Sequence, residues 1–142
     1  MPRLDRDQAR QLALATAVVR SAIGVVALAA PGLAAGLWAD AGARPLASTR
    51  VLARALGARD LALGMGLLLA LRHEGPVRGW VEAGGLADAG DVVATVSRFG
   101  DLPATGRWVA LFSAAGGVAA ARLLSVSVDL ADPGPGPVHE EA

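Results

Sequence analysis

The sequence predicts an all-α protein, a four-helix transmembrane bundle, on three observations. Four apolar stretches of about 20 residues, each about 30 Å long as a helix, alternate with short segments rich in helix breakers. Charged residues make up 18% of the 142-residue chain against 54% hydrophobic, and the mean hydropathy is +0.47, whereas soluble domains carry about 25% charge. Trp38, Trp80 and Trp108 all fall beside the ends of these stretches, where an amphipathic indole favours the headgroup region.

Taken in order, a polar N-terminal segment (1–11) carries Arg3, Arg6 and Arg10 ahead of the first span, 12–30, which Pro31-Gly32 stops. The second span, 51–71, follows Ala47-Ser48-Thr49 and ends before Glu74-Gly75-Pro76; the third, 77–97, ends before Gly100-Asp101-Leu102-Pro103; the fourth is 108–128. The tail, 129–142, alternates Pro and Gly over Pro133–Pro137 and is expected to be disordered. Two rivals to this reading exist. Arg3, Arg6 and Arg10 before an apolar run ending in Ala27-Leu28-Ala29 resemble a signal peptide, but Arg20 interrupts the run and three more apolar stretches follow. A soluble Ala-rich bundle needs a polar face on every helix, and Trp108–Ala121 carries no charge at all.

Composition excludes several functions. All 13 basic residues are Arg and 13 acidic residues balance them, so no net field attracts nucleic acid. With no cysteine, disulfides, thiol nucleophiles and iron–sulfur clusters drop out. Phosphate-loop, dinucleotide-binding and serine-nucleophile patterns are absent, and Gly64-Met65-Gly66 is read as close packing. His73 and His139 have no second ligand at metal spacing. No cofactor and no metal are therefore expected, and catalytic residues are unknown.

The charges inside the spans carry the most information, because each costs about 2.5–3.5 kcal/mol at mid-membrane unless it finds a partner. Arg20, Arg59, Asp60, Asp88 and Asp91 are deep and, with helices alternating in direction, share one depth. Arg54, Glu82 and Arg122 lie nearer the ends, where long side chains reach the interface. Stripes at helical spacing surround the deep charges: Thr16, Arg20 and Gly24; Ala53, Gly57, Asp60 and Gly64; Gly84, Asp88, Asp91 and Thr95; Ser113, Gly117 and Ala121. Small residues mark helix contacts in lipid, so Gly57, Gly64, Gly84 and Gly117 are expected at helix interfaces and the charges in an internal ion-pair layer.

The segment Arg54-Ala55-Leu56-Gly57-Ala58-Arg59-Asp60-Leu61-Ala62-Leu63-Gly64, between an Arg-bearing first span and a third span with Asp88 and Asp91, resembles an uncharacterised bacterial family. Its members are small four-helix integral membrane proteins described as a domain of unknown function, marked by a Gly-Ala-Arg-Asp core with a Gly four residues on. The resemblance covers about residues 12–125 and implies a fold and a location, not a reaction. Lys-free, Ala- and Arg-rich usage is likewise bacterial in character.

Three functional readings follow. In the first, Arg20 and Arg59 pair with Asp60, Asp88 and Asp91 to fix packing, and the protein has a structural or interaction role. In the second, two arginines facing three carboxyls leave one aspartate to hold a proton, with Asp88 and Asp91 sharing it and Arg59 modulating them, as proton-coupled transport of a small solute requires. In the third, the layer acts on a lipid-soluble substrate. The expected surroundings are the lipid bilayer of the cytoplasmic membrane, crossed several times. Arg3, Arg6, Arg10, Arg72 and Arg78, set against Arg44, Arg50, Arg98 and Arg107 in the other loops, favour both termini in the cytoplasm. Glycine-rich outer faces leave a homo-oligomer or a membrane-protein partner open; a small-molecule ligand is unknown.

Overall fold

The computed structural model describes residues 4–36, 38, 42–43 and 46–128. Of these, 84% are helical and none lies in a strand. Five helices follow in order: α1 (Arg6–Ala29), α2 (Pro31–Ala35), α3 (Ala47–Arg72), α4 (Arg78–Ser97) and α5 (Ala104–Val128). The tail 129–142, Arg3 and Arg44 lie outside the described residues.

The helices run past the expected spans for local reasons. α1 begins at Arg6, inside the segment read as polar lead-in, because Asp5 and Gln8 form a reciprocal cap. The Asp5 carboxylate accepts from the Gln8 backbone N–H at 2.8 Å and the Gln8 side-chain oxygen accepts from the Asp5 N–H at 3.2 Å, which satisfies two otherwise orphaned donors. Pro31 does stop α1, and it also starts something: it opens α2, where the missing N–H costs nothing. α3 and α5 each start four residues before the expected span, at Ala47 and Ala104.

Two antiparallel helical hairpins make up the structure. In the first, α1 and α3 approach until backbone meets backbone. A Cβ at Gly24 would lie 2.7 Å from the Gly57 carbonyl oxygen, and one at Gly57 would lie 2.7 Å from the Ala27 Cβ and 2.9 Å from the Gly24 oxygen. Lower down, a Cβ at Gly64 would strike the Ser21 hydroxyl and stand 2.8 Å from the Ala17 carbonyl oxygen. In the second hairpin, a Cβ at Gly85 would lie 2.6 Å from the Ala121 Cβ, and Gly117 faces Asp88. The hairpins are joined by a tight turn at residues 73–77. The Gly75 N–H donates to the Ala70 carbonyl at 2.9 Å, closing α3, and Glu74 stands in left-handed backbone with φ 53, a position that glycine occupies without strain.

Side-chain burial is inverted relative to an ordinary soluble core. The fully buried apolar residues are mostly Ala (Ala13, Ala17, Ala27, Ala35, Ala53, Ala114), joined by Leu67, Val81 and Leu124. Large apolar residues face outward all round, with Leu86 76% and Phe112 68% exposed, and Val19, Ile23, Leu52 and Val93 more than half exposed. A tight apolar cluster of Ala13, Ala17, Leu67, Val81 and Leu124 joins the four long helices at the end that holds the start of α1 and the end of α5. α1 and α5 (as far as Ser127) are long and apolar enough to cross a membrane. α3 and α4 have the length, but carry Arg59 and Asp60, and Asp88 and Asp91, in mid-helix.

Two predictions follow from this packing. Gly57→Ala should lower the stability of the purified chain by about 1–3 kcal/mol, since the new methyl meets α1 backbone that cannot move aside. Gly90→Ala, where nothing lies within 4 Å, should instead be neutral or gain about 0.5–1 kcal/mol. Equal losses in equilibrium unfolding would contradict this assignment of the interface. Separately, Glu74→Gly should raise stability by about 1 kcal/mol by relieving the left-handed backbone, read as an upward shift in Tm.

Candidate functional site

One polar feature crosses the interior, built from three helices. Its residues come from the stripes that the close α1/α3 approach brings together: Arg20 from α1, Arg59 and Asp60 from α3, Asp88 and Asp91 from α4. Arg20 Nη1 donates to Asp60 Oδ1 at 2.9 Å and Arg20 Nη2 donates to Asp88 Oδ2. Arg59 grips Asp91 with both arms, Nη1 to Oδ1 at 3.0 Å and Nη2 to Oδ2 at 2.8 Å. It also donates from Nη2 to Asp60 Oδ1 at 3.2 Å. The result is a chain of alternating charge, Asp88, Arg20, Asp60, Arg59, Asp91, with Asp60 shared by both guanidiniums.

The chain grades from sealed to open. The Asp88 side chain is 10% exposed and the Asp91 side chain 38%. At the sealed end glycines make the room. A Cβ at Gly117 would fall on the Asp88 carboxylate, whereas one at Gly84 would stand 3.6 Å from Arg20 Nη2, in ordinary contact. Gly117 is thus required by the charge beside it, and Gly57 and Gly64 by the backbone beside them. Gly84 is buried but not sterically demanded.

Several sequence expectations change at this resolution of detail. The expected surplus carboxyl does not stand alone, because each guanidinium bridges two carboxyls. Asp88 and Asp91 hold different arginines, so the expected proton-sharing pair is divided between Arg20 and Arg59. Arg59, expected to act on both Asp88 and Asp91, makes its ion pairs with Asp91 and Asp60. On α5 the expected Gly117 and Ala121 do face α4, and only the first position of the stripe differs. Ser113 is exposed, and Ala114 and Leu124 are the buried positions around Gly117 and Ala121. Thr16 is half-buried and lines a cavity with Arg20, Trp80 and Gly84. That cavity has about 20 Å³, enough for a water and not for a substrate.

Other polar groups stay peripheral. Glu82 accepts from Arg78 Nε at 2.7 Å, exposed, one helical turn apart, a pairing visible in the i, i+4 spacing. Arg54 Nε reaches the Leu28 carbonyl at the end of α1, 3.4 Å away. α1 has no basic residue in its own last turn, so α3 supplies the cation that the C-terminal dipole favours. Sequence reading treated Arg54 as an end charge and missed this role; the antiparallel α1/α3 register is the signal that could have found it. His73 is exposed at the end of α3, His139 lies outside the described residues, and among those residues no cluster of His, Cys, Asp and Glu can hold a metal ion.

Chemically, the arrangement binds hairpin to hairpin. Both guanidiniums belong to the α1/α3 hairpin and the outer two carboxylates to α4, so two of the ion pairs cross between hairpins. Removing one member leaves a buried charge uncompensated, which costs about 3–5 kcal/mol. Arg20→Met, which strands Asp88, should therefore destabilise by that amount in equilibrium unfolding. Arg59→Met, which takes both donors from Asp91, should also lower stability; an unchanged unfolding transition in either variant would contradict the pairing. Comparison of the chain with protein-family models, curated proteins and solved structures finds no match.

Proposed function

We propose that the chain is a four-span membrane protein whose two helical hairpins are locked together at mid-depth by the Arg20/Arg59/Asp60/Asp88/Asp91 chain, with a structural or interaction role. The observation that carries this reading is the inverted burial: Ala, Gly and ion pairs inside, Leu, Val, Ile and Phe outside. Water would penalise that surface, while lipid accepts it and leaves close backbone packing and polar contacts to hold the helices.

Helix register supports the placement. With Gly85 against Ala121 and Asp88 against Gly117, Trp108 on α5 lies level with the Ser97 end of α4. Trp80 and Trp108 are then about 26 Å apart along the helix axes, close to the thickness of a hydrocarbon core. Between those levels lie the ion chain and few other charges. An Arg54 that caps α1, and Arg50, Arg72, Arg78, Arg98 and Arg107, fall at or beyond the two indole levels. Four crossings would bring both termini to one side, and the arginine bias favours the cytoplasm for it. Transport of a solute and chemistry on a lipid-soluble substrate both need a path or cavity that the substrate can enter. Among the described residues each of the three carboxyls is engaged by a guanidinium and the cavity beside Arg20 is water-sized, which favours the structural role.

The absence of native cysteine makes the test direct. Single cysteines at Glu74 and at Asp101 should react with a membrane-impermeant maleimide from opposite sides of sealed vesicles, and the protein should resist extraction by alkaline carbonate. Labelling of both from one side would overturn the four-span reading. Proteoliposomes should carry no proton flux above protein-free vesicles; a flux abolished by Asp88→Asn would replace the structural role with transport.

A further inference from the structure

The turn between α4 and α5 carries a basic aromatic cluster that the ion chain does not use. Phe99 and Trp108 meet edge to face with ring centroids 4.9 Å apart, and Trp108 stacks on Phe112 at 5.7 Å. The Arg107 guanidinium lies over the Phe99 ring, 5.0 Å from its centroid, and Nη1 donates to the Phe99 carbonyl at 3.5 Å. Its Nε is buried and unbonded, and among the described residues no carboxylate pairs with it. The neighbouring acid, Asp101, is taken by Arg98 at 3.3 Å, fully in the open. Arg107 is therefore held in place by an aromatic face and a carbonyl, with no carboxylate among the described residues paired to it.

With Nε shut away and one Nη1 hydrogen on the carbonyl, the guanidinium keeps the other Nη1 and Nη2 hydrogens for an oxyanion, the group that arginine favours in phosphate. Beside it, Trp108 and Phe112 present 47% and 68% of their surface outward, an apolar shelf for an acyl chain. An oxyanion carrying an adjacent apolar chain is a phospholipid. The geometry points to a phospholipid-binding site at this turn, in which Arg107 takes the headgroup phosphodiester and Trp108 and Phe112 take the upper acyl chain. This rests on the membrane reading above, since Trp108 marks one of its two interface levels.

The test uses the full chain in detergent micelles, with bound lipid counted by native mass spectrometry. Phosphatidylglycerol should be retained, and Arg107→Gln should weaken its binding about tenfold. Arg107→Lys, which keeps the charge and loses the fork, should fall between the two. Arg98→Gln should bind like the parent chain. Diacylglycerol, which lacks the phosphate, should not be retained, and millimolar inorganic phosphate should not displace the lipid. Unchanged binding in a helical Arg107→Gln protein, or equal retention of diacylglycerol, overturns the site. Displacement by inorganic phosphate overturns the lipid assignment and makes it a free-phosphate site. Extraction of the parent chain by alkaline carbonate would overturn the membrane reading and the site with it, whereas a carbonate-resistant chain with unaltered Arg107→Gln binding overturns the site alone.

Discussion

Arg20 donates to two carboxylates on two different helices, and most of the tertiary arrangement follows from satisfying that one guanidinium. Its side chain leaves α1 between α3 and α4, so Asp60 and Asp88 must arrive from opposite sides at the same depth. Asp60 then also faces Arg59, and Arg59 reaches across to Asp91 one helical turn from Asp88. Two cations thereby serve three anions, with the unmatched carboxyl distributed along the chain instead of isolated. Ion pairs in low dielectric lose much of their attraction to desolvation, so their main effect is specificity. A rotation of α4 by one residue would break two bidentate or bridging contacts at once.

Such reach depends on how closely the helices lie. Gly24, Gly57 and Gly64 let α1 and α3 approach to backbone contact, which places Arg20 within reach of Asp60. Gly117 clears the space that the Asp88 carboxylate occupies. Small residues and charges are thus one design, since the glycines set the distance and the charges set the rotation. The two hairpins divide the work. Within α1/α3 backbone meets backbone, and within α4/α5 glycines meet small or charged side chains; between the hairpins, the ion pairs and the apolar cluster around Leu67, Val81 and Leu124 make the join. The join is sealed beside Asp88 and half-open beside Asp91, so the hairpins are tightest along α1 and loosest between α3 and α4.

The periphery is arranged by the same economy of polar groups. Arg54 covers the carbonyl end of α1, Arg78 and Glu82 pair along one face of α4, and Arg107 rests on Phe99. Trp80 lies flat on Gly66, where any side chain would collide with the indole. That explains a glycine which sequence reading assigned to close packing without naming its neighbour. In the proposed bilayer placement, Trp80 and the Phe99–Trp108–Phe112 group hold the two faces of the molecule at the two headgroup levels.

Much of this was determined by sequence alone. Apolar stretches bounded by Pro31, Pro76 and Pro103 dictate long helices, and 3.6-residue periodicity places Gly57, Asp60 and Gly64 on one face and Gly84, Asp88 and Thr95 on another. Helix ends were less legible, because the Asp5–Gln8 cap and the N1 proline of α2 override the apolar pattern locally. Which arginine meets which aspartate was decided only by tertiary structure. Depth along a helix is linear in residue number, but lateral order and rotation are not. Two arginines and three aspartates in one layer admit several pairings, and the packing of α1 on α3 through Gly24 and Gly57, with α4 beside them, selects one. The step from Ser113 to Ala114 as the inward position of α5 has the same cause, since a helix with no charge over Trp108–Ala121 carries no marker of which side faces in until α4 packs against it.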